Sequence, residues 1–221
     1  MTEQKISDWE ALYREQDVEK MPWFTPELDH DFSEALRNLK ICSGHVLDLG
    51  TGPGTQAIAL AELGFDVVAS DISGSAIRKA EVRSKKKGSS IRFVKDDILA
   101  TGLKGPFDII FDRGIFHVFP AEKRAAYVQN VEGLLRKGGY LFLKCFSDKE
   151  SPGEGPYRIS EEEIHRSFTP ALEILNIRAG FFKGVRQPNP HALFCVLRKV
   201  SGTMANPDTF NGFPEPFTPP S

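Results

Sequence analysis

Three glycines and a later aspartate are the residues whose types and spacing most clearly imply chemistry in this chain. Gly50, Gly52 and Gly54 lie in the run Val-Leu-Asp-Leu-Gly-Thr-Gly-Pro-Gly-Thr. Without a β-carbon, they let the backbone turn sharply and approach a ligand closely. Asp71 ends a second apolar run, Val-Val-Ala-Ser-Asp, and at a spacing of about twenty residues an acid can accept hydrogen bonds from both ribose hydroxyls. The pattern predicts a nucleoside cofactor site.

A structural turn followed by a surface aspartate is the alternative explanation. An apolar strand over 45–49 precedes the glycines, and a helix with an apolar face follows from about 55 to 63. Pro53 and Thr55 suit a helix start, where free amides face a ligand. The order strand, turn, helix and strand, with Asp71 at its end, favours the cofactor site.

The glycine spacing also distinguishes between nucleoside cofactors. A dinucleotide site has the fingerprint G-x-G-x-x-G, whereas here the order is G-x-G-x-G, with threonine at position 55. Asp48 within the first strand is also unusual for a dinucleotide site. The stretch strongly resembles the first motif of the class I methyltransferases that use S-adenosylmethionine (SAM), in which the glycine loop lies against the methionine part of the cofactor.

This resemblance implies a set of residues around SAM and its product S-adenosylhomocysteine (SAH). In class I methyltransferases an acid after the third strand meets the adenine amino group and its neighbour covers the ring. Asp97 and Ile98 match those positions, although Asp97 also suits a helix N-cap. The cofactor-binding residues so implied are Trp9, Tyr13, Trp23, Asp48, Gly50, Thr51, Gly52, Asp71, Ile72, Asp97, Ile98 and Asp112.

The fourth strand ends in Phe-Asp-Arg-Gly-Ile-Phe-His-Val-Phe-Pro, residues 111–120. Here the chain resembles a narrower group, the thiopurine, thiol and halide methyltransferases with the related tellurite-resistance methyltransferases. The shared segments are Asp112-Arg113-Gly114, Gly155-Pro156-Tyr157 before Glu163-Ile164, and Trp9 followed by Pro22-Trp23. The resemblance covers residues 7–199 and implies methyl transfer to sulfur or another soft atom.

Arg113 and His117 are the candidate catalytic residues. Transfer from the SAM sulfonium is an in-line displacement, so the enzyme mainly aligns the nucleophile and excludes water. Arg113 could hold an anionic acceptor and lower a thiol pKa, or it could pair with Asp112 or a helix terminus. His117 could be a general base for a hydroxyl or thiol, or it could simply pack among its apolar neighbours. The histidines show no metal-ligand spacing, and Cys145 is expected to pack in its strand.

The elements that would position these residues alternate between strands and helices. Strands are predicted at 91–95, 107–111, 140–145, 172–182 and 191–197, with helices from Ser73 to about 87, from 121 to 135 ahead of Lys137-Gly138-Gly139, and after a Ser160/Glu163 capping box. The connection between the last two strands is too short for a crossover helix, so they should be antiparallel. The expected fold is a single α/β Rossmann-like class I methyltransferase domain. Its seven-stranded, mostly parallel sheet has a closing antiparallel strand and helices on both faces.

Three regions are predicted along the chain. Residues 1–40 form a helical N-terminal extension or lid, 41–200 the SAM-binding domain, and 201–221 a proline-rich flexible tail that cannot bury a core. A chain of 221 residues suits one such domain.

Composition excludes several other classes of protein. The net charge of −2 gives no electrostatic case for nucleic-acid or membrane binding. Cys42, Cys145 and Cys195 form neither a disulfide framework nor a metal motif, which favours a reducing cytoplasm. No apolar run is long enough for a signal peptide or a membrane span. We therefore expect a soluble cytoplasmic protein that is a monomer or weak homodimer.

The leading functional hypothesis is SAM-dependent methylation of a small molecule at sulfur or another soft atom. The alternatives are methylation of oxygen or nitrogen in a small metabolite, a non-catalytic SAM sensor, and an NAD-dependent oxidoreductase. Thr55 and the antiparallel final strands argue against the oxidoreductase.

Overall fold

The computed structural model describes residues 8–151, 153, 155–169 and 171–200. The segment 201–221, predicted to be a flexible tail, lies outside the described residues. The elements are α1 (Trp9–Glu15), α2 (His30–Asn38), β1 (His45–Leu49), α3 (Thr55–Glu62), β2 (Asp66–Asp71), α4 (Gly74–Lys87), β3 (Arg92–Lys95), β4 (Phe107–Arg113), α5 (Ala121–Leu134), β5 (Leu135–Phe146), α6 (Glu161–Phe168), β6 (Glu173–Phe181) and β7 (His191–Arg198). Short 3-10 turns lie at Val18–Lys20, Ile98–Ala100 and Phe116–Val118.

The seven strands form one sheet in the order β3-β2-β1-β4-β5-β7-β6. Strands β1 to β5 are mutually parallel, and β7 runs antiparallel to both β5 and β6. The predicted fold class is therefore confirmed, with β7 as the single antiparallel strand. Because strand order reverses between β1 and β4, their carboxyl ends open a crevice where ligands of α/β sheets bind.

Alternating side chains of the central strands build a core on each face of the sheet. Ile110 of β4 belongs to the cluster that includes Tyr127 and Val131 of α5. Its neighbour Phe111 belongs to the cluster on the opposite face, which includes Phe32 of α2. Successive residues of a strand point to opposite faces, so the apolar run at 107–111 supplies both cores.

Two predicted helix ends are confirmed by their caps. The Ser73 hydroxyl accepts a hydrogen bond from the Ala76 amide, and α4 ends at Gly88 in the left-handed conformation after three lysines. Ser160 and Glu163 form the predicted capping box of α6. Side chains that bind free amides at a helix start fix where that helix begins.

The boundary between α5 and β5 differs from the prediction. The helix ends at Leu134, and the strand starts at Leu135, opposite Phe107. The two glycines expected to stop the helix lie within the strand, where the Gly138 amide donates to the Lys199 carbonyl and the Gly139 carbonyl accepts from the Lys199 amide. Backbone pairing with the end of β7 outweighs the local helix-stop signal. Within the described part of the chain, no helix is both long and apolar enough to cross a membrane.

Candidate cofactor and acceptor site

The glycine loop connects β1 to α3 at the crevice. Gly50 has a φ of 70° and Gly52 a φ of 52°, values that L side chains rarely adopt. A β-carbon on Gly50 would lie 2.1 Å from the Cδ1 of Ile115, and one on Gly52 would lie 2.6 Å from the Tyr13 hydroxyl oxygen. Both positions favour glycine because of their positive φ, and a β-carbon would in addition require the Ile115 or Tyr13 side chain to shift.

Asp71 connects this loop to the turn that follows β2. Its Oδ2 accepts the Gly52 amide and its Oδ1 the Ser73 amide, each at 2.9 Å. Burial raises the pKa of the Asp71 carboxyl. Each carboxylate oxygen can accept more than one hydrogen bond, so the side chain retains acceptor capacity for the two predicted ribose hydroxyls.

Asp48 and Thr51 hold the glycine loop against the ends of β1 and β2. The Thr51 hydroxyl donates to Asp48 Oδ2 at 2.5 Å, and the Thr51 amide donates to the Ser70 carbonyl at 2.8 Å. Asp48 is buried, and this burial raises its pKa to about 6. The side-chain contacts of both residues shape the loop on which the cofactor is predicted to lie.

The predicted cofactor residues after β2 and β3 differ in exposure. Asp97 Oδ1 accepts the Leu99 amide at 2.9 Å, so the N-cap role exists in the structure. Ile98 is only 5% exposed and packs in the core, which leaves little surface for an adenine ring. Ile72, directly after Asp71, is 50% exposed. The contacts of Asp97 and Ile98 with adenine, and of Ile72 with the cofactor, stay predictions.

Asp112 lies at the end of β4 with its carboxylate turned into the protein. It accepts the Ile115 amide at 2.6 Å, the Phe116 amide at 2.9 Å and the Tyr127 hydroxyl at 2.5 Å. Burial raises its pKa to about 6. The side chain therefore shapes the loop after β4, and the contact of Asp112 with the cofactor stays a prediction.

We expect Asp112 to make stability depend on pH. Its folded pKa of about 6 lies above the ordinary value of 3.8, so the folded state binds the extra proton between these values. Its contribution to the free energy of unfolding should fall as pH rises from 4 to 6 and stay constant above. Urea unfolding should show that the free energy of unfolding of the wild type, minus that of Asp112→Asn, falls by on the order of 3 kcal/mol over that range, at about 1.4 kcal/mol per pKa unit. A difference independent of pH would contradict this assignment.

Arg113 is paired with Asp29 rather than Asp112. Its Nε donates to Asp29 Oδ2 at 2.9 Å, while Nη1 donates to the Trp23 carbonyl at 3.0 Å and Nη2 to the Lys183 carbonyl at 2.6 Å. The predicted alternative of an ion pair with Asp112 is thus corrected. Adjacent strand residues point to opposite faces, which sends Asp112 towards α5 and Arg113 towards α2.

A second buried cation shares Asp29 with Arg113. Lys144 of β5 lies beside Arg113 in the sheet register, and its Nζ is 2.8 Å from both Asp29 oxygens and 2.6 Å from Asp31 Oδ2. Burial alone would raise the pKa of Asp29, but Lys144 and Arg113 outweigh it and lower that pKa. Both cations lie over the ring of Phe182, at 5.6 and 5.5 Å from its centroid.

His117 has the contacts of a packed residue. Its Nδ1 accepts the Phe146 amide at 2.8 Å, so the neutral ring has its proton on Nε2. The ring centroid lies 4.7 Å from that of Phe146 and 5.6 Å from that of Phe182. Burial lowers the pKa of His117 to about 3, which makes the imidazole a weak base at neutral pH.

The N-terminal segment carries a cluster of aromatic side chains, in which the Tyr13 hydroxyl lies against Gly52 of the glycine loop. The ring centroid of Trp9 lies 6.4 Å from that of Tyr13 and 5.9 Å from that of Trp23. Tyr13 is buried in a small cluster that includes Met21 and Ala76 of α4. That this segment forms a lid over the cofactor stays a prediction.

Three residues of this region were missed from the sequence. Glu10 of α1 binds the start of α4, and Asp29 and Lys144 form the buried ion pair described above. The one available signal was Lys144, a charged residue within the apolar strand Leu-Phe-Leu-Lys-Cys-Phe.

One group of potential metal ligands occurs among the described residues, namely His30, Asp31 and Glu34 of α2. Arg178 lies 2.8 Å from Asp31 and 2.6 Å from Glu34. These carboxylates therefore already have a cationic partner.

In comparisons with known proteins, the matching family and both relatives described below are methyltransferases. The family described as Thiopurine S-methyltransferase (TPMT) matches residues 4–189. The chain is 28% identical over 176 residues to probable thiol methyltransferase 2 of Arabidopsis thaliana, spanning 77% of this chain and 75% of the relative. It is 32% identical over 161 residues to EEF1A lysine methyltransferase 2 of Homo sapiens, spanning 64% and 68%. A structure solved for the conversion of a disulfide bond into a thioacetal group during echinomycin biosynthesis superposes with a TM-score of 0.76 at 25% identity, over 87% of this chain and 92% of that one.

Proposed function

The chain belongs to the thiopurine S-methyltransferase family and is a SAM-dependent methyltransferase, and from this premise we propose that it methylates a small molecule at sulfur or another soft atom. The observation that most supports the site is the bond between Asp71, at the end of β2, and Gly52, in the loop after β1. It places a carboxylate and the glycine loop together beside the crevice between β1 and β4, as a nucleoside cofactor requires. The family description and the name of the thiol methyltransferase relative support sulfur as the acceptor atom.

In the proposed mechanism, SAM supplies a sulfonium whose methyl group is already activated. The residues of this chain bind the cofactor, align the acceptor and exclude water. Asp71 would hold the ribose, the loop at Gly50 and Gly52 would hold the methionine part, and the Trp9, Tyr13 and Trp23 rings would cover the site. A thiolate needs little help from a base, so a neutral buried His117 suits this chemistry as a packing residue.

We place the acceptor beside the aromatic wall formed by Phe146, Phe182 and His117. The cations Arg113 and Lys144 lie over Phe182; Asp29 pairs with both of them, and Asp31 pairs with Lys144. The donors of Arg113 are bound to Asp29 and to two backbone carbonyls. Its guanidinium over the ring of Phe182 would favour an anionic acceptor placed beside that ring, and it fixes the aromatic wall by joining Trp23 to Lys183.

A panel of acceptors tests this proposal. The purified chain is incubated with SAM and thiols, thiopurines, oxyanions of chalcogens, phenols or amines, and SAH formation is measured. We expect turnover with a soft acceptor. Turnover with amines or a lysine-containing protein alone would move the chain to the nitrogen class, as the name of the human relative suggests. Tight SAM binding without turnover of any acceptor would favour a sensor.

The N-terminal segment should act as a lid. Deleting residues 1–25 should abolish transfer but leave the sheet folded, because the segment packs on α4 while the two main cores lie elsewhere. Segments that order over a ligand are a common gating device. Limited proteolysis should cut residues 8–25 of the full chain more slowly with SAH than without it. Equal protection in the two conditions would count against a lid.

We further infer a cytoplasmic protein that is a monomer or weak homodimer, without nucleic-acid or membrane partners. The three cysteines are free thiols, which suits a reducing compartment. Size-exclusion chromatography with light scattering would test the oligomeric state.

A further inference from the structure

Glu10 of α1 is bound to the turn that follows Asp71. Its Oε2 accepts the Ser73 hydroxyl at 2.8 Å and the Ser75 amide at 3.0 Å, and its Oε1 accepts the Ser75 hydroxyl at 2.6 Å. Arg78 adds a longer contact of 3.3 Å. Hydrogen bonds from the side chain and then the amide of Ser75 are the main causes that lower the pKa of Glu10 to about 2. The carboxylate is therefore ionised at neutral pH.

The same turn holds Asp71 in place. The Ser73 amide donates to Asp71 Oδ1, while the Ser73 hydroxyl donates to Glu10. Asp71 Oδ2 in turn accepts the Gly52 amide. A continuous series of hydrogen bonds thus runs from Glu10 through Ser73 and Asp71 to the glycine loop.

Helix α1 also reaches the far end of this series. Tyr13, three residues after Glu10, has its hydroxyl against Gly52. Side chains three apart in a helix are neighbours on its surface. Glu10 and Tyr13 therefore contact the two ends of the segment that Asp71 connects.

We infer that Glu10 is a positioning residue for the cofactor, because its carboxylate sets the turn from Asp71 to Ser75 and the Tyr13 ring in the arrangement that receives the adenosine moiety. The inference rests on the proposed contact of Asp71 with the ribose. The groups that Glu10 arranges face parts shared by SAM and SAH. Its loss should therefore weaken both ligands by the same factor.

A second ion pair provides a matched control. Glu19 also comes from the N-terminal segment and also binds α4, through Arg83 at 3.2 Å, but its carboxylate has no bond to the turn after Asp71. If Glu10 only fastened the segment to α4, neutralising Glu19 would have a similar effect. If Glu10 positions the turn, the two variants should differ.

The experiment is calorimetric titration of the full chain with SAM and with SAH. Glu10→Gln should raise both Kd values about tenfold, since several charge-assisted hydrogen bonds are lost, whereas Glu19→Gln should stay within about twofold, as exposed ion pairs contribute little. In the Glu10→Gln background, Ser75→Ala should raise the two Kd values little further, because the Ser75 hydroxyl and Glu10 act through their mutual contact. Thermal unfolding without ligand checks that each variant is folded.

Three outcomes would overturn the inference. Glu10→Gln could bind both ligands like Glu19→Gln, which would leave Glu10 only a fastening role. Glu10→Gln could weaken the binding of SAM but not that of SAH, which would indicate a charge effect on the sulfonium instead of positioning. If Asp71→Asn also binds SAH normally, the proposed cofactor site fails together with this inference. If Asp71→Asn is weak and Glu10→Gln is normal, only this inference fails.

Discussion

Replacing Asp71 with asparagine should lower SAM affinity at least tenfold while the fold survives. An ionised carboxylate that accepts both ribose hydroxyls makes two charge-assisted bonds, each worth about 1.5–3 kcal/mol. Asparagine keeps the volume of the side chain and one oxygen acceptor, but its amide nitrogen cannot accept. Calorimetric titration with SAM and SAH measures the loss, and circular dichroism and thermal unfolding test the fold.

The same strand offers a control for this variant. Asp66 begins β2, its side chain is exposed, and its Oδ2 lies 3.9 Å from Nε2 of His45. Asp66→Asn should bind SAM like the wild type. If Asp71→Asn also retains wild-type affinity for SAM and SAH, Asp71 is not the ribose ligand.

The parts of the predicted cofactor site that can be found from the sequence are those whose geometry depends on residues close together along the chain. The glycine loop, helix α3 and Asp71 lie within one strand–turn–helix–strand unit, and the geometry of such a unit follows from local spacing. The Ser73 cap and the Ser160/Glu163 capping box were found for the same reason, since each bond spans three residues. Sequence spacing determines geometry well over such distances.

The ion-pair network beside the aromatic wall could not be predicted from the spacing of residues in the sequence. Arg113 and Asp29 are 84 residues apart, and Lys144 and Asp29 are 115 apart. Their meeting depends on the register that places Arg113 beside Lys144 and on the packing of α2 against that face of the sheet. A buried charge needs such partners. The position of Lys144 within an apolar strand thus indicates that partners exist, but it does not identify them.

Arg113→Met and His117→Asn should separate the two acceptor chemistries. If the acceptor is an anionic thiolate, losing the Arg113 charge should raise the acceptor KM or lower the rate at least tenfold, an order-of-magnitude expectation for a hydrogen-bonded charge. His117→Asn should change the rate by less than about tenfold, since a neutral packed imidazole contributes no proton transfer. His117→Asn should bind SAM normally. Calorimetric titration of Arg113→Met with SAH separates an effect on the acceptor from loss of the bond between Arg113 and the Trp23 carbonyl.

A matched variant separates the charge at the site from the network as a whole. Arg178 belongs to the same network through Asp31 and Glu34, but its side chain is 38% exposed and lies over the ring of Phe194. Arg178→Met should leave acceptor kinetics unchanged. An equal effect of Arg178→Met and Arg113→Met would mean that the network acts only through stability.

The pH dependence of these variants gives the final distinction. A general base at His117 would have to titrate near the ordinary imidazole pKa of about 6.5, whereas burial lowers the His117 pKa to about 3. The ratio of wild-type to His117→Asn rates should therefore stay constant from pH 5.5 to about 8.5, the range around the imidazole and thiol pKa values. Taking the ratio cancels the ionisation of the acceptor itself. Base catalysis would instead give a ratio that exceeds about a hundred and that decreases at pH values below 6.5, with the Arg113→Met rate near normal. That result would assign the enzyme to the oxygen-methylating class.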